Sequence, residues 1–215
     1  MQFKTLIMTT ILSVLIIAMP SHAGQWKQKK NSNNIKVWTK DIPGQPLKAM
    51  KGETIIQASI TDIGYLLQTP SAFPKWVADL ESSKLIKQVS KASQLLYFVQ
   101  KTPVKDRDVV IKGSLSQNPK TKAITVTMVN VPNVVKPNSK YVRIPKMNGK
   151  LTFTPAGNGK LKVVYLLTVN PGGNIPKLIA NTFAVQTPYK TLLGLKKLSA
   201  NLTPYRDSKK VKFSN

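Results

Sequence analysis

From Lys84 onward the chain alternates apolar and polar side chains with a period of two. The segments are Lys84–Val89, Gln94–Thr102, Asp108–Gln117, Ala123–Val131, Tyr141–Phe153 and Lys160–Val169. Neighbouring side chains of a strand point to opposite faces, so this period predicts strands with one buried and one solvated face. In the last segment Leu161, Val163, Tyr165, Leu167 and Val169 alternate with Lys160, Lys162 and Thr168. In the one before it, Met147, Gly149, Leu151 and Phe153 alternate with Lys146, Asn148, Lys150 and Thr152. Links such as Asn118-Pro119-Lys120 and Pro155-Ala156-Gly157-Asn158-Gly159 have turn chemistry, which predicts an antiparallel meander.

Upstream, Ile35–Lys40 and Leu47–Ile56 read as short strands around the turn Pro43-Gly44-Gln45-Pro46. Ser59 and Asp62 have capping-box spacing and precede Ile63, Leu66 and Leu67, which predicts a helix ended by Pro70. A second helical segment, Ala72–Leu80, carries Phe73, Trp76 and Val77 on one side, with Pro74 in its first turn. Residues 24–34 read as a loose polar lead-in. Near the end, Asn174 is a candidate N-cap and Pro176 suits a first helical turn. Ile175, Leu178, Ile179, Thr182, Gln186, Tyr189 and Leu193 then share one helical face, widened by Phe183 and Leu192. Pro188 predicts a kink or a break near Thr187. Lys196 and Lys197 suit the negative end of the helix dipole, and residues 202–215 read as a mobile basic tail.

The N-terminus changes the picture of where the chain works. Lys4 precedes an apolar run from Leu6 to Met19, broken by Pro20 and followed by Ser21-His22-Ala23. That is the layout of a cleaved signal peptide spanning residues 1–23, with an uncleaved anchor as the alternative. The expected location is periplasmic or secreted. No Cys follows the run, so no lipoprotein attachment is available, and no disulfide can staple the chain. The mature chain is long enough for one domain with a real core, over residues 35–201.

The formal net charge is +25, and removing the signal takes away only Lys4. Such a balance attracts anionic surfaces. Arg occurs only at Arg107, Arg143 and Arg206, and base readout favours Arg, so nucleic acid is not the expected partner. His22 is the only histidine and lies in the signal. The remaining chain therefore has neither Ser-His-Asp nor Cys-His machinery, nor the usual zinc or copper ligands. No catalytic residues, cofactor or metal are expected.

Ordered landmarks run across most of the chain: Trp76, Lys105-Asp106-Arg107-Asp108-Val109-Val110, Val131-Pro132, Val142-Arg143, Leu151-Thr152-Phe153-Thr154-Pro155 and Asn170-Pro171-Gly172-Gly173-Asn174-Ile175-Pro176. In this order and spacing the chain resembles the START (StAR-related lipid-transfer) domain. The resemblance implies an α+β helix-grip fold, a curved antiparallel β-sheet wrapped around a long C-terminal helix. It also implies a tunnel for one lipid or other apolar molecule, and transfer or sensing rather than catalysis. The strand after Arg107-Asp108 shows no inward charge of the kind some sterol-binding relatives use, which leaves phospholipid, fatty acid or isoprenoid open.

A lipid pocket needs an apolar lining and a few polar groups. The lining candidates are Ile111, Val126, Met128, Leu151, Phe153, Tyr165 and Leu167 from strands, and Leu178, Ile179, Phe183 and Tyr189 from the helix. Asn130, Tyr165, Gln186 and Tyr189 are the polar candidates. Trp76 is expected as a core anchor or cavity wall, and Arg107 with Asp108 as a structural pair. Val131, Pro132, Asn133, Val134 and Val135 occupy the place of a gate loop, with apolar tips beside lysines that would touch an anionic membrane. The sequence thus favours a monomeric, exported lipid-binding or lipid-transfer protein. A cyclase- or hydrolase-like enzyme on the same fold and a cationic binder of envelope polyanions are the competing classes.

Overall fold

Asn33 and Asn34 both adopt positive φ, 54° and 58°, the conformation a tight two-residue hairpin requires. They join strands β1 (Lys27–Ser32) and β2 (Ile35–Lys40), which pair antiparallel. The computed structural model describes residues 24–43 and 48–214, so the signal segment and most of the Pro43–Pro46 turn lie outside the described residues. The lead-in is therefore not loose. Its polar side chains stay in solvent while its backbone forms an edge strand dressed with lysines.

Strand β3 (Ala49–Gln57) is followed by helix α1 (Ile60–Leu67). The predicted cap is present: the Asp62 N–H donates to Ser59 Oγ at 3.0 Å. A 3-10 turn at Pro70–Lys75 stands where a longer helix was expected, and Leu80 already begins β4 (Leu80–Ser90). Pro70 suits the first position of the turn, and Pro74 inside it lacks the N–H that an α-helix would direct to the Pro70 carbonyl. Then come β5 (Ser93–Gln100), β6 (Arg107–Gln117), β7 (Ile124–Asn130), β8 (Val142–Arg143), β9 (Lys146–Pro155), β10 (Lys160–Asn170) and helix α2 (Lys177–Leu198). The segment expected as one strand over Tyr141–Phe153 is split at Pro145, between β8 and β9.

The strands form one sheet in the order β1-β2-β3-β10-β9-β7-β6-β5-β4, all antiparallel, with β8 added parallel to β6. Register shifts along the β4–β5 pair mark bulges, which bend a strand and strengthen its twist. The sheet curves around α2, and the alternation read from sequence holds in its centre. Leu161, Val163, Tyr165 and Leu167 of β10 are buried, and Lys160 and Lys162 are exposed.

Helix α2 packs on β2 and β3, but not by the expected face. Ala180, Ala184, Thr187, Thr191, Leu192 and Leu195 are buried, whereas Leu178 is 78% exposed. Small residues win because they let the helix approach the sheet closely. A Cβ on Gly52 would sit 2.7 Å from Leu192 Cδ1 and 3.2 Å from Pro188 Cβ, so this glycine makes room for the helix. Gly194 does the same against Trp76, where a Cβ would come within 2.6 Å of the backbone oxygen. The helix runs through Pro188 without breaking, and it starts at Lys177 with Pro176, not Asn174, at the N-cap. The C-terminal segment is not a loose tail: Leu202, Tyr205 and Phe213 are buried, and Phe213 lies against Gly64 of α1. Arg206 pairs with Asp62 at 2.6 Å.

Candidate ligand-binding site

The curved sheet and α2 do not close completely on each other. Between them lies a cavity of about 110 Å³. Its sheet wall carries Ile111 of β6, Val126 and Met128 of β7, Leu151 of β9, and Tyr165 and Leu167 of β10. Its other walls come from Phe73, Trp76, Val77 and Leu80, and from Leu96 and Phe98 of β5. Phe73 meets Trp76 and Phe98 edge-on, both at 5.9 Å between ring centroids, which fixes this wall in place.

Only two residues of α2, Thr187 and Thr191, reach this cavity. Leu178, Ile179 and Gln186 line a separate outer cleft with Lys101 and Lys190. Tyr189 faces β1: its hydroxyl accepts from Asn33 Nδ2 at 2.7 Å, and Lys30 Nζ sits 3.9 Å from its ring centroid. Phe153 is fully buried core, with no place in the cavity wall. Asn130 Nδ2 donates to the carbonyls of Val110 (3.2 Å) and Ile144 (3.4 Å), so it ties strands together. The signal for the inward face of α2 is the small-residue spacing 180, 184, 187, 191, of which the last two reach the cavity. It is masked by the larger apolar side chains of the opposite face.

The polar groups of the cavity are few. Trp76 Nε1 is buried without a partner among the described residues. Burial pushes the Tyr165 phenol above its ordinary range, so it stays a neutral hydroxyl. Thr191 Oγ1 accepts from the Ala78 N–H at 3.1 Å. At one end the lining turns polar with Gln88, Lys91 and Gln94 of the β4–β5 hairpin.

At the other end Gln100, Met147, Leu167 and Thr187 separate the cavity from a second chamber of about 70 Å³, whose lining they share. Phe183, Ile175 and Pro171 close that chamber on the helix side, and Arg107 lies in its wall. Arg107 is 3% exposed. It does not pair with Asp108 as expected. Its Nη1 donates to Thr102 Oγ1 at 2.8 Å and to the Lys105 carbonyl, and its buried Nε has no partner among the described residues. Burial lowers the pKa of this guanidinium from its ordinary value, against the opposing charge of Asp106.

Asp108 belongs instead to Arg143, which uses all five of its donors. Nε and Nη2 donate to the two Asp108 oxygens at 2.9 Å each, Nη1 donates to the carbonyls of Pro132 and Val135, and Nη2 also donates to that of Lys136. The loop expected as a gate is thus clamped at its base, while Val134 at its tip is 50% exposed. Tyr97 donates to Asp108 at 2.8 Å. Burial, then the Asp108 hydrogen bond and charge, pushes the Tyr97 phenol up to about 12. Burial works to raise the pKa of Asp108, but the donors of Arg143 and Tyr97 and the Arg143 charge together hold it below its ordinary value.

A family model described as START domain matches residues 7–202. An uncharacterized protein of Pseudomonas aeruginosa is 29% identical over 190 residues, covering 87% of this chain and 94% of that one. The crystal structure of a fragment of a STAR-related lipid transfer protein from Xanthomonas axonopodis is similar with a TM-score of 0.75 and 31% identity, covering 82% of this chain and 99% of that one. Human StAR-related lipid transfer protein 5 shares the fold at 15% identity, with a TM-score of 0.73 over 84% of this chain and 88% of that one.

Proposed function

The chain belongs to the START-domain family, and from that membership we propose that it is an exported, non-enzymatic lipid-binding or lipid-transfer protein. It holds one apolar molecule between the sheet and α2. The observation that carries this reading is the mainly apolar cavity between the sheet and α2, whose polar groups are few and include Trp76 Nε1, without a partner among the described residues. Ligand pockets have this composition, a hydrophobic lining with a small number of polar groups to set orientation. Its volume of about 110 Å³ is smaller than the engineered cavity of roughly 150 Å³ that admits benzene. A lipid therefore widens it on binding. Met128 and Met147 in its wall are unbranched, adaptable side chains suited to such repacking.

The basic surface brings the protein to anionic membranes, each lysine near the surface adding on the order of 1 kcal/mol. Val134 and its neighbours in the Val131–Val135 loop make the apolar contact there. The protein works as a monomer in the periplasm or outside the cell. Native mass spectrometry of the mature protein, followed by lipid extraction, tests the reading. A co-purified lipid, or stoichiometric uptake of an apolar probe, is expected. A protein that stays empty against every apolar probe refutes it, and turnover of such a probe would move the assignment to an enzyme.

A further inference from the structure

We propose that Arg107 is the anion-recognition residue of the cavity, and that the molecule held there is a single-chain amphiphile ending in a carboxylate. This rests on the lipid-binding reading and names its ligand class. Two arginines on this sheet make the argument by contrast. Arg143 grips Asp108 with the edge of its guanidinium formed by Nε and Nη2, the side-on pairing that a carboxylate accepts bidentately. In Arg107 the Nη1 donors are spent on Thr102 and Lys105, whereas the buried Nε and Nη2 hydrogen-bond no described residue. The edge that Arg143 uses is the edge for which Arg107 has no hydrogen-bond partner among the described residues.

No carboxylate among the described residues fills it. Asp106, the nearest in sequence, takes Lys101 Nζ at 2.9 Å and the Thr102 N–H at 3.1 Å. The chamber that Arg107 lines contains no Asp or Glu and no second cation among the described residues. Burying an uncompensated charge is costly, and a buried guanidinium is ordinarily paired. Holding the loop at Thr102 and Lys105 explains Nη1 but leaves the other edge unexplained. Met50, Ile144 and Val169 make the rest of this chamber apolar, and through the shared residues Gln100, Met147, Leu167 and Thr187 it adjoins the larger cavity. A carboxylate on Arg107 would therefore send its chain along an apolar path towards Met128 and Trp76. One free guanidinium edge and a chamber of about 70 Å³ suit a compact monoanionic head rather than a substituted phosphate.

The test compares palmitate with palmityl alcohol, methyl palmitate and a phosphate-headed lysolipid, by titration into delipidated protein. Hydrogen bonds to a charged group predict that wild type binds palmitate about ten- to a hundredfold more tightly than the alcohol or ester. Arg107→Gln should abolish that preference, so that the acid binds no more tightly than the alcohol or the ester. Equal affinity of wild type for acid and ester, an acid preference that survives in Arg107→Gln, or uptake of the lysolipid but not palmitate overturns the proposal. Uptake of none of the four refutes lipid binding itself, a different outcome from loss of the acid preference alone. Because Arg107 also anchors a loop, a measurement on wild type stands beside the variant. Carbon-13 NMR of carboxyl-labelled palmitate should show the bound head ionised to a pH about 1–3 units below the free acid. A bound head that titrates at or above the pH of the free acid overturns the assignment.

Discussion

Replacing Arg143 with Met removes the clamp and leaves its partner stranded. The Asp108 side chain is fully buried and that of Arg143 only 11% exposed, so solvent does little to screen the pair. Breaking a buried ion pair from one side costs about 3–5 kcal/mol, because the remaining charge loses its compensation. Against a total stability of about 5–15 kcal/mol this is a large share, read directly as a shift of the urea midpoint. The loss should depend on pH with a definite sign. In the wild type the Asp108 pKa is depressed, so its contribution is complete above the ordinary carboxylate pKa and fades as pH falls through the depressed value. In Arg143→Met burial acts on Asp108 with much less opposition and its pKa rises, so the deficit is largest near neutral pH and shrinks in acid. Adding Asp108→Asn should recover part of the loss, since a neutral amide tolerates burial better. Hydrogen exchange should accelerate across residues 131–136, where Arg143 holds the carbonyls of Pro132, Val135 and Lys136. A loss under about 1 kcal/mol with unchanged exchange in that loop would refute the clamp.

Gly194→Ala should destabilise the fold by about 1–3 kcal/mol despite a gain of about 1 kcal/mol in helix propensity, because the new Cβ meets Trp76 backbone that cannot step aside; a rise in Tm would sink this packing argument. Phe213→Ala should cost about 3–5 kcal/mol in chemical denaturation, as for a core aromatic, whereas a dispensable tail would show no change. Val134→Asp should weaken binding to anionic liposomes without changing Tm, and wild-type binding should fall steeply with added salt; binding indifferent to salt removes the electrostatic step.

The sheet was legible because its signal is local. Alternation along β9 and β10 identifies strand and inward face together, and Ser59 with Asp62 marks a helix start through a contact three residues long. Lys27–Ser32 was missed because an edge strand exposed on both faces has no alternation, and its only cue is the Asn33-Asn34 hairpin. The rotation of α2 was missed for a different reason. Periodicity ranks residues by apolarity, but the distance of closest approach selected Ala180, Ala184, Thr187 and Thr191 to face inward, opposite Gly52 and the Trp76 backbone. Of the strand positions read as inward, Ile111, Val126, Met128, Leu151, Tyr165 and Leu167 lie on the cavity, while Phe153 is core and Asn130 ties strands. The helix positions on the cavity, Thr187 and Thr191, are ones the apolar pattern passes over. The separate fates of Arg107 and Asp108 depend on β8 joining β6, a contact 35 residues distant that no pattern at the Arg-Asp step announces.

Pro188 gives α2 an uneven stiffness. Past it, Leu192 and Leu195 are sunk in the core and Gly194 rests on Trp76 backbone, so that half of the helix is fixed to the body. Before it, Leu178 stands in solvent and Phe183 is half-buried. Proline has no N–H for the Ala184 carbonyl, so the ladder lacks a rung at the junction. The helix is thus anchored by large core side chains past the proline and by small ones, Ala180 and Ala184, before it, and that more lightly filled half lies over the Arg107 chamber. Thr187, in the partition between the two chambers, sits at the fulcrum. A bend at that turn would displace alanines rather than Leu192 and Leu195, so widening this chamber would cost less core packing than widening the far end.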